Sequence, residues 1–353
     1  MAGKDLSRAY AYVVPWEDLS AAAFLADLLE VGINARTATN DFTFGQADYK
    51  AGSIVITRAD NRKKENFAQH LRRIARQYPV TVEILETGFS TSGGDLGSSN
   101  YQLLTAPKIA ILGGEGVNPN QFGQVWYYFE QDLGYPVSVF YPDNIGSVAA
   151  GDYDILVLPS GRYQLSGSEE ALTDWVRSGG KLIAIGGANS SLSRLDAFAL
   201  ERKEQEEGSR ESGGGDPLTK SGAGDGQDDR LLPYGGSERR FISGFNPGVI
   251  IGVEMDETYP LAFGIGENYF SLKTGSTAYD YLDNGVNAGR VRTDPYISGF
   301  VGAGAREELA ETLVFGVQGM GRGTVVYLID NPLYRGFWEQ GKLLFANALF
   351  QVD

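Results

Sequence analysis

Ser160 and Ser190 are the hydroxyls with the best sequence context for chemistry, because each follows the end of an apolar, strand-like run. Residues 156–161 (LVLPSG) end in Pro-Ser-Gly, and residues 182–188 (LIAIGGA) end in a glycine pair before a helix predicted to start near Asn189. Strand ends of this kind are where α/β proteins usually meet their ligands. A serine becomes a useful nucleophile only beside a base. The chain has one histidine, His70, and no cysteine. It therefore has no thiolate nucleophile, disulfide, iron–sulfur ligand or Cys-bound zinc. One imidazole makes neither a histidine pair on zinc nor a triad at these turns. No metal site is expected. The structural roles are turn residue for Ser160 and helix-start cap for Ser190, and a hydrolase using either serine is the alternative.

Other chemistry-bearing residues divide in the same way. Glu115 lies in the loop Gly113, Gly114, Glu115, Gly116 after a predicted strand over 108–112. The loop is not GxGxxG, no P-loop lysine follows, and its carboxylate would repel phosphate, so a tight turn is favoured over an anion site. Asp330, Asn331, Pro332 and Arg335 follow a strand and precede the last helix. An Asp330–Arg335 pair bracing that turn is favoured over a polar ligand site. The aromatics Trp126, Tyr127, Tyr128, Phe129, Tyr279 and Tyr281 read as core, the other reading being a sugar- or peptide-binding surface. His70, in NFAQHLRRIARQ, reads as a boundary residue of an amphipathic helix.

These positions need a scaffold, and the hydrophobic pattern supplies an α/β one. Residues 10–14, 34–38, 53–57 and 80–85 read as strands and 19–29 and 67–75 as helices, which implies a small α/β domain over 1–88 with a parallel or mixed sheet. Residues 89–106 are Gly- and Ser-rich at their start and are expected to be a linker. From 107 to 353 come strands over 108–112, 137–141, 155–158 and 181–185, alternating with helices over 121–132 and 169–177. That order predicts a doubly wound, flavodoxin-like sheet. Further strands are expected over 249–253, 313–317 and 324–329. A final helix is predicted to carry Phe337, Trp338, Gly341, Leu344, Phe345 and Ala348 on one face. Residues 201–240 have almost no apolar side chains and are expected to be a polar, mobile surface insertion. Their DGQDD stretch matches a Ca²⁺ loop poorly.

The 353 residues, 42% hydrophobic and 12% aromatic, suit a folded chain of two domains. A net charge of -15 argues against nucleic acid as a partner. No run of about 18 apolar residues is present to span a bilayer, and the start MAGKDLSRAY lacks the apolar core of a secretory signal.

The strand ends over 156–161 and 182–188 resemble class I glutamine amidotransferase-like domains. There a strand ending in Pro-Gly-Gly contributes the oxyanion turn, and a following strand runs into an elbow bearing the nucleophilic cysteine. The matching position here is Gly186, and the family's His and Glu partners have no counterpart. The resemblance thus implies a degenerate, non-catalytic domain whose vestigial pocket is lined by Glu115, Ser160, Gly161, Gly186, Gly187 and Ser190. More widely, AYVVPWEDLSAAAFLADLLEVGINAR, YKAGSIVITRADNR, GGDLGSSNYQLLTAPKIAIL, QFGQVWYYFEQDLGYPV, DYDILVLPSGRY, DETYPLAFG and GTVVYLIDNPLYRGFWEQGKLLFANALF are similar to the region that follows the catalytic domain in large, secreted bacterial zinc carboxypeptidases. This implies a non-catalytic accessory region, extracellular or periplasmic, partnered by an upstream peptidase domain of the same polypeptide and open to a peptide or glycan ligand. Zinc would belong only to that peptidase domain, with no cofactor in this chain. The His-x-x-Glu motif of the peptidase is absent, since Arg73 stands at the third position after His70.

Overall fold

In the computed structural model, which describes residues 9–141, 153–165, 167–203 and 236–353, short β-prone runs at the start of the chain pair into the first of two large sheets. Its strands come from β1 (Ala11–Val14), β2 (Ala35–Ala38), β5 (Ile54–Thr57), β6 (Glu83–Leu85) and β7 (Tyr101–Leu104), while β3 (Phe42–Phe44) and β4 (Ala47–Tyr49) form a separate hairpin. Helix α1 (Leu19–Glu30) starts at Asp18, whose carboxylate accepts from the Ala21 N–H at 3.2 Å, and it ends before Gly32 at a φ of 70°. Its Phe24, Leu25, Leu28 and Leu29 are buried, each contributing roughly 1.5–3 kcal/mol for surface removed from water. Helix α2 (Phe67–Ala75) buries Phe67, Leu71 and Ile74.

The first sheet corrects an expectation. Its order is β6-β1-β5-β2-β7 and every pairing is antiparallel, not parallel or mixed. Strands β1 and β2, joined by α1, do run the same way, but β5 lies between them and runs against both, which is the split β-α-β arrangement. The expected linker over 89–106 also contributes an element, because β7 extends the sheet edge beside β2.

The second sheet is built on β8 (Ile109–Leu112), β9 (Val137–Phe140), β10 (Ile155–Leu158) and β11 (Lys181–Ile185). Beyond them come β12 (Val249–Met255), β13 (Asn268–Lys273), β14 (Val286–Arg290), β15 (Ile297–Ser298), β16 (Leu313–Met320) and β17 (Gly323–Leu328). Strands β9-β8-β10-β11-β17 are parallel neighbours, in the flavodoxin-like chain order 2-1-3-4-5. Strands β16, β14, β12 and β13 continue the sheet antiparallel. The α/β, doubly wound architecture is therefore present within a mixed sheet. The runs IAIL and ILVL are buried throughout, as parallel strands covered on both faces require.

Helix α3 (Pro119–Tyr127) continues as a π-turn, Tyr128–Leu133. The C-terminal helix, Glu339–Phe350, is buried on all sides from Gly341 onward, so no single apolar face exists; Phe337, expected on that face, is 56% exposed. The helix lies between the two sheets. Asn347 Oδ1 accepts from the Trp16 indole at 2.6 Å, and Gln351 donates to the Gly52 carbonyl at 3.3 Å. Apolar residues of both halves accordingly merge into one core. Most of 201–240 lies outside the described residues. At its start Arg202 bridges Tyr279, and Lys203 Nζ donates to the Ala310 carbonyl at 2.7 Å.

Candidate active site at the strand ends

β11 runs into a sharp elbow. Gly186 adopts a φ of 55°, in the left-handed region that L side chains rarely occupy, and a short helical stretch leads on to Leu192. Asn189, fully buried, holds this shape: its amide donates to the Gly186 carbonyl at 3.0 Å and to Leu328 at 2.9 Å, tying the end of β11 to β17. In the sequence Asn189 marks only a helix start. Its signal was a lone amide at the end of an apolar and glycine-rich run, where burial demands partners.

The facing turn follows β10. Arg162 N–H donates to the Gly116 carbonyl at 2.7 Å, Asn118 N–H donates to Ser160 O at 3.1 Å, and Val117 bridges Gly161. A Cβ on Gly161 would meet Gly116 O at 2.5 Å, so only glycine permits this approach. With its backbone held this way, Ser160 directs its hydroxyl at the elbow, where Oγ accepts from Gly187 N–H at 2.9 Å. A Cβ on Gly186 would lie 3.0 Å from that Oγ. Ser160 Oγ therefore sits directly over Gly186, and the two expected lining residues are in fact brought together.

The rest of the predicted lining takes structural positions. Glu115 is exposed at the tip of a tight turn closed by Val117 N–H to Gly114 O at 3.2 Å, and Asn118 then caps α3. Ser190 is not a cap: its Oγ lies 2.9 Å from the Tyr279 hydroxyl. Burial raises the Tyr279 phenol above its ordinary range, so it stays a neutral partner and no base for Ser190 at neutral pH. Ser191 Oγ accepts from Tyr163 N–H at 3.0 Å. His70 is half-buried on α2, a helix of the first sheet's layer.

At the end of β17, Asp330 does form an ion pair, but with Lys273 at 3.1 Å, and it also accepts from Ser271 Oγ at 2.7 Å. This corrects the expected Asp330–Arg335 brace. Arg335, at a φ of 52°, lies over the Tyr334 ring instead, while β13 brings Ser271 and Lys273 to the carboxylate. Asn331 Oδ1 accepts from Leu333 N–H at 2.9 Å and its amide donates to Gln124 at 2.6 Å. Tyr128, Phe129 and Tyr279 are core residues, whereas Trp126, Tyr127 and Tyr281 reach the surface. Among the described residues, no group of three His, Asp or Glu side chains is placed to hold a metal ion, and no helix is long and apolar enough to cross a membrane.

No family model matches the chain, and no curated protein matches it. Solved structures do. A provisionally assigned ThuA-like protein from Bacteroides uniformis is 10% identical, with 69% of this chain and 89% of that chain covered and a TM-score of 0.40. A protein from Thermoplasma acidophilum, provisionally named as one of the subunits of GMP synthase, is 10% identical over 69% of this chain and 92% of that chain, with a TM-score of 0.41. A β-galactosidase from Rahnella sp. R3 is 13% identical over 69% of this chain and 30% of that chain, with a TM-score of 0.35. Likeness of this degree carries nothing about activity.

Proposed function

We propose that this chain is a non-catalytic accessory region of the kind that follows the catalytic domain in large, secreted bacterial zinc carboxypeptidases. In this reading the small N-terminal α/β part supports a degenerate class I glutamine amidotransferase-like domain. Its partner is the peptidase domain of the same polypeptide, outside the cytoplasm, and zinc is held by that domain alone. The observation that carries the reading is the position of Ser160. Acyl transfer at an elbow needs a side chain at 186 and a free backbone N–H beside it to receive the developing oxyanion. Here residue 186 is glycine and the neighbouring N–H, of Gly187, is already bonded to Ser160 Oγ at 2.9 Å. Pro-Ser-Gly in place of Pro-Gly-Gly thus fits an elbow that has lost its nucleophile and gained a plug.

A second reading, a hydrolase using Ser160, has one observation in its favour. The Ser160 hydroxyl is half-buried at the C-terminal end of a central parallel strand, beside a backbone donor of the oxyanion type. A fluorophosphonate probe decides between the two. The accessory reading expects no covalent labelling of Ser160 or Ser190 and no turnover of glutamine or aryl esters. Labelling that disappears in Ser160→Ala or Ser190→Ala would replace it with the hydrolase.

A further inference from the structure

We propose that the outer face of α2 is a docking site for a linear, phosphate-bearing polyanion. This goes beyond the accessory reading and does not depend on it. Residues 62–76 hold six Lys and Arg against one carboxylate, Glu65, on a chain whose net charge is -15. Arg62, Lys63, Arg72, Arg73 and Arg76 are exposed, and none is in an ion pair with another described residue. Phe67, Leu71 and Ile74 point into the core, which leaves the cations on the opposite side. Gln69, Arg72, Arg73 and Arg76, at i, i+3, i+4 and i+7, line a depression of about 430 Å³. A second depression, of about 340 Å³, is lined by Arg62, Lys64, Asn66 and Gln69 among others. Gln69 lines both, so the two open depressions adjoin along the helix.

Helix stability explains only part of this charge. Arg72, Arg73 and Arg76 sit at the C-terminal end of α2, where cations complement the helix dipole. Lys64 donates to the Val31 carbonyl at the C-terminal end of α1, whereas Arg62 and Lys63 precede the N-terminus of α2, where cations oppose the dipole. Asn66, at a φ of 55°, supplies no side-chain cap there. An anion at that end would offset the cations and the open helix end together.

The surroundings select the occupant. Guanidinium forks pair with phosphate oxygens two at a time. Within residues 58–76 no large apolar or aromatic side chain is exposed. One exposed ring, Tyr10, borders the second depression beside Arg58, whose N–H donates to the Tyr10 carbonyl at 3.1 Å, and a single ring is too little to stack successive bases or to anchor in lipid. A flat anionic membrane would also meet the field of an acidic molecule. A narrow chain along the two depressions feels mainly the cations within a Debye length, about 8 Å at physiological salt.

The test measures binding of long-chain inorganic polyphosphate to the full chain at several salt concentrations. Saturable binding is expected, weakening with salt as several ion pairs require. Arg72→Ala/Arg73→Ala/Arg76→Ala and Arg62→Ala/Lys63→Ala should each weaken it by about tenfold or more, with unchanged circular dichroism, while Arg322→Ala, away from α2, should leave it intact. Absence of binding, or binding indifferent to the α2 variants, would overturn the proposal. So would equal or tighter binding of single-stranded DNA, heparin or phosphatidylglycerol vesicles, which would reassign the face to nucleic acid, sulfated glycan or membrane.

Discussion

At position 186 backbone conformation and side-chain space are at odds with any residue but glycine. A φ of 55° disfavours every L side chain, and Ser160 Oγ stands 3.0 Å from where a Cβ would be. Gly186→Cys should therefore destabilise the protein by about 1–3 kcal/mol from backbone strain alone, with the contact adding to it. Ser160→Gly removes the opposing hydroxyl. The double variant should lose less stability than the two single variants together, with a coupling of about 0.5–3 kcal/mol in urea denaturation. Simple additivity would show that Ser160 does not occupy the elbow.

Among elements, the junction of β12 with β14 is short: the two strands pair only at Glu254–Arg290 and Met255–Gly289. Glu254 accepts from Arg292 Nε at 2.5 Å and from Arg290 Nη2 at 3.1 Å. Hydrogen bonds first from Arg292 and then from Arg290 hold its carboxyl at about 2, below the ordinary 4.5. The folded protein thus keeps this group ionised at pH values where the unfolded chain protonates it. Its contribution is complete above 4.5 and is lost as pH falls towards about 2. Both arginines are half-exposed, so solvent and salt screen the pair. Glu254→Gln should flatten the acid limb of stability against pH, more visibly at low salt. An acid limb identical to that of the parent would refute the pairing.

For the whole molecule, the C-terminal helix decides cooperativity. Asn347 accepts from Trp16 and donates to the Leu261 and Phe263 carbonyls at 2.9 and 2.8 Å, all buried between the sheets. Asn347→Ala leaves these groups without partners, at about 1–3 kcal/mol for each buried polar group. Calorimetry should show one unfolding transition for the parent and one, shifted down by several degrees, for the variant. Two separate transitions would mean that the halves fold as independent units despite their common core.

How much of this was legible depends on distance along the chain. Helix α1, the helix Glu169–Arg177 and the parallel strands were read within a residue or two, because apolar spacing over a few residues encodes each one. The doubly wound architecture followed from strand–helix alternation, since crossover helices restrict where the next parallel strand goes, whereas the 2-1-3-4-5 order is seen only in the structure. The same reasoning misjudged the first sheet. No local pattern says that β5 enters between β1 and β2. The composition of 89–106 hid β7, a short edge strand with Tyr101 and Leu104 inward and Gln102 and Leu103 outward. Ser160 and Gly186 were found from their turn motifs, yet the hydroxyl's position over the elbow was not. By itself the sequence determined most element types, the glycine turn at 186 and the charge of α2. Only tertiary structure chose partners for the polar groups: Asp330 meets Ser271, 59 positions away, and Lys273 beside it, rather than nearby Arg335. Buried polar groups must pair with whatever the packed backbone brings within reach, and that neighbourhood is set by sheet order and not by sequence spacing.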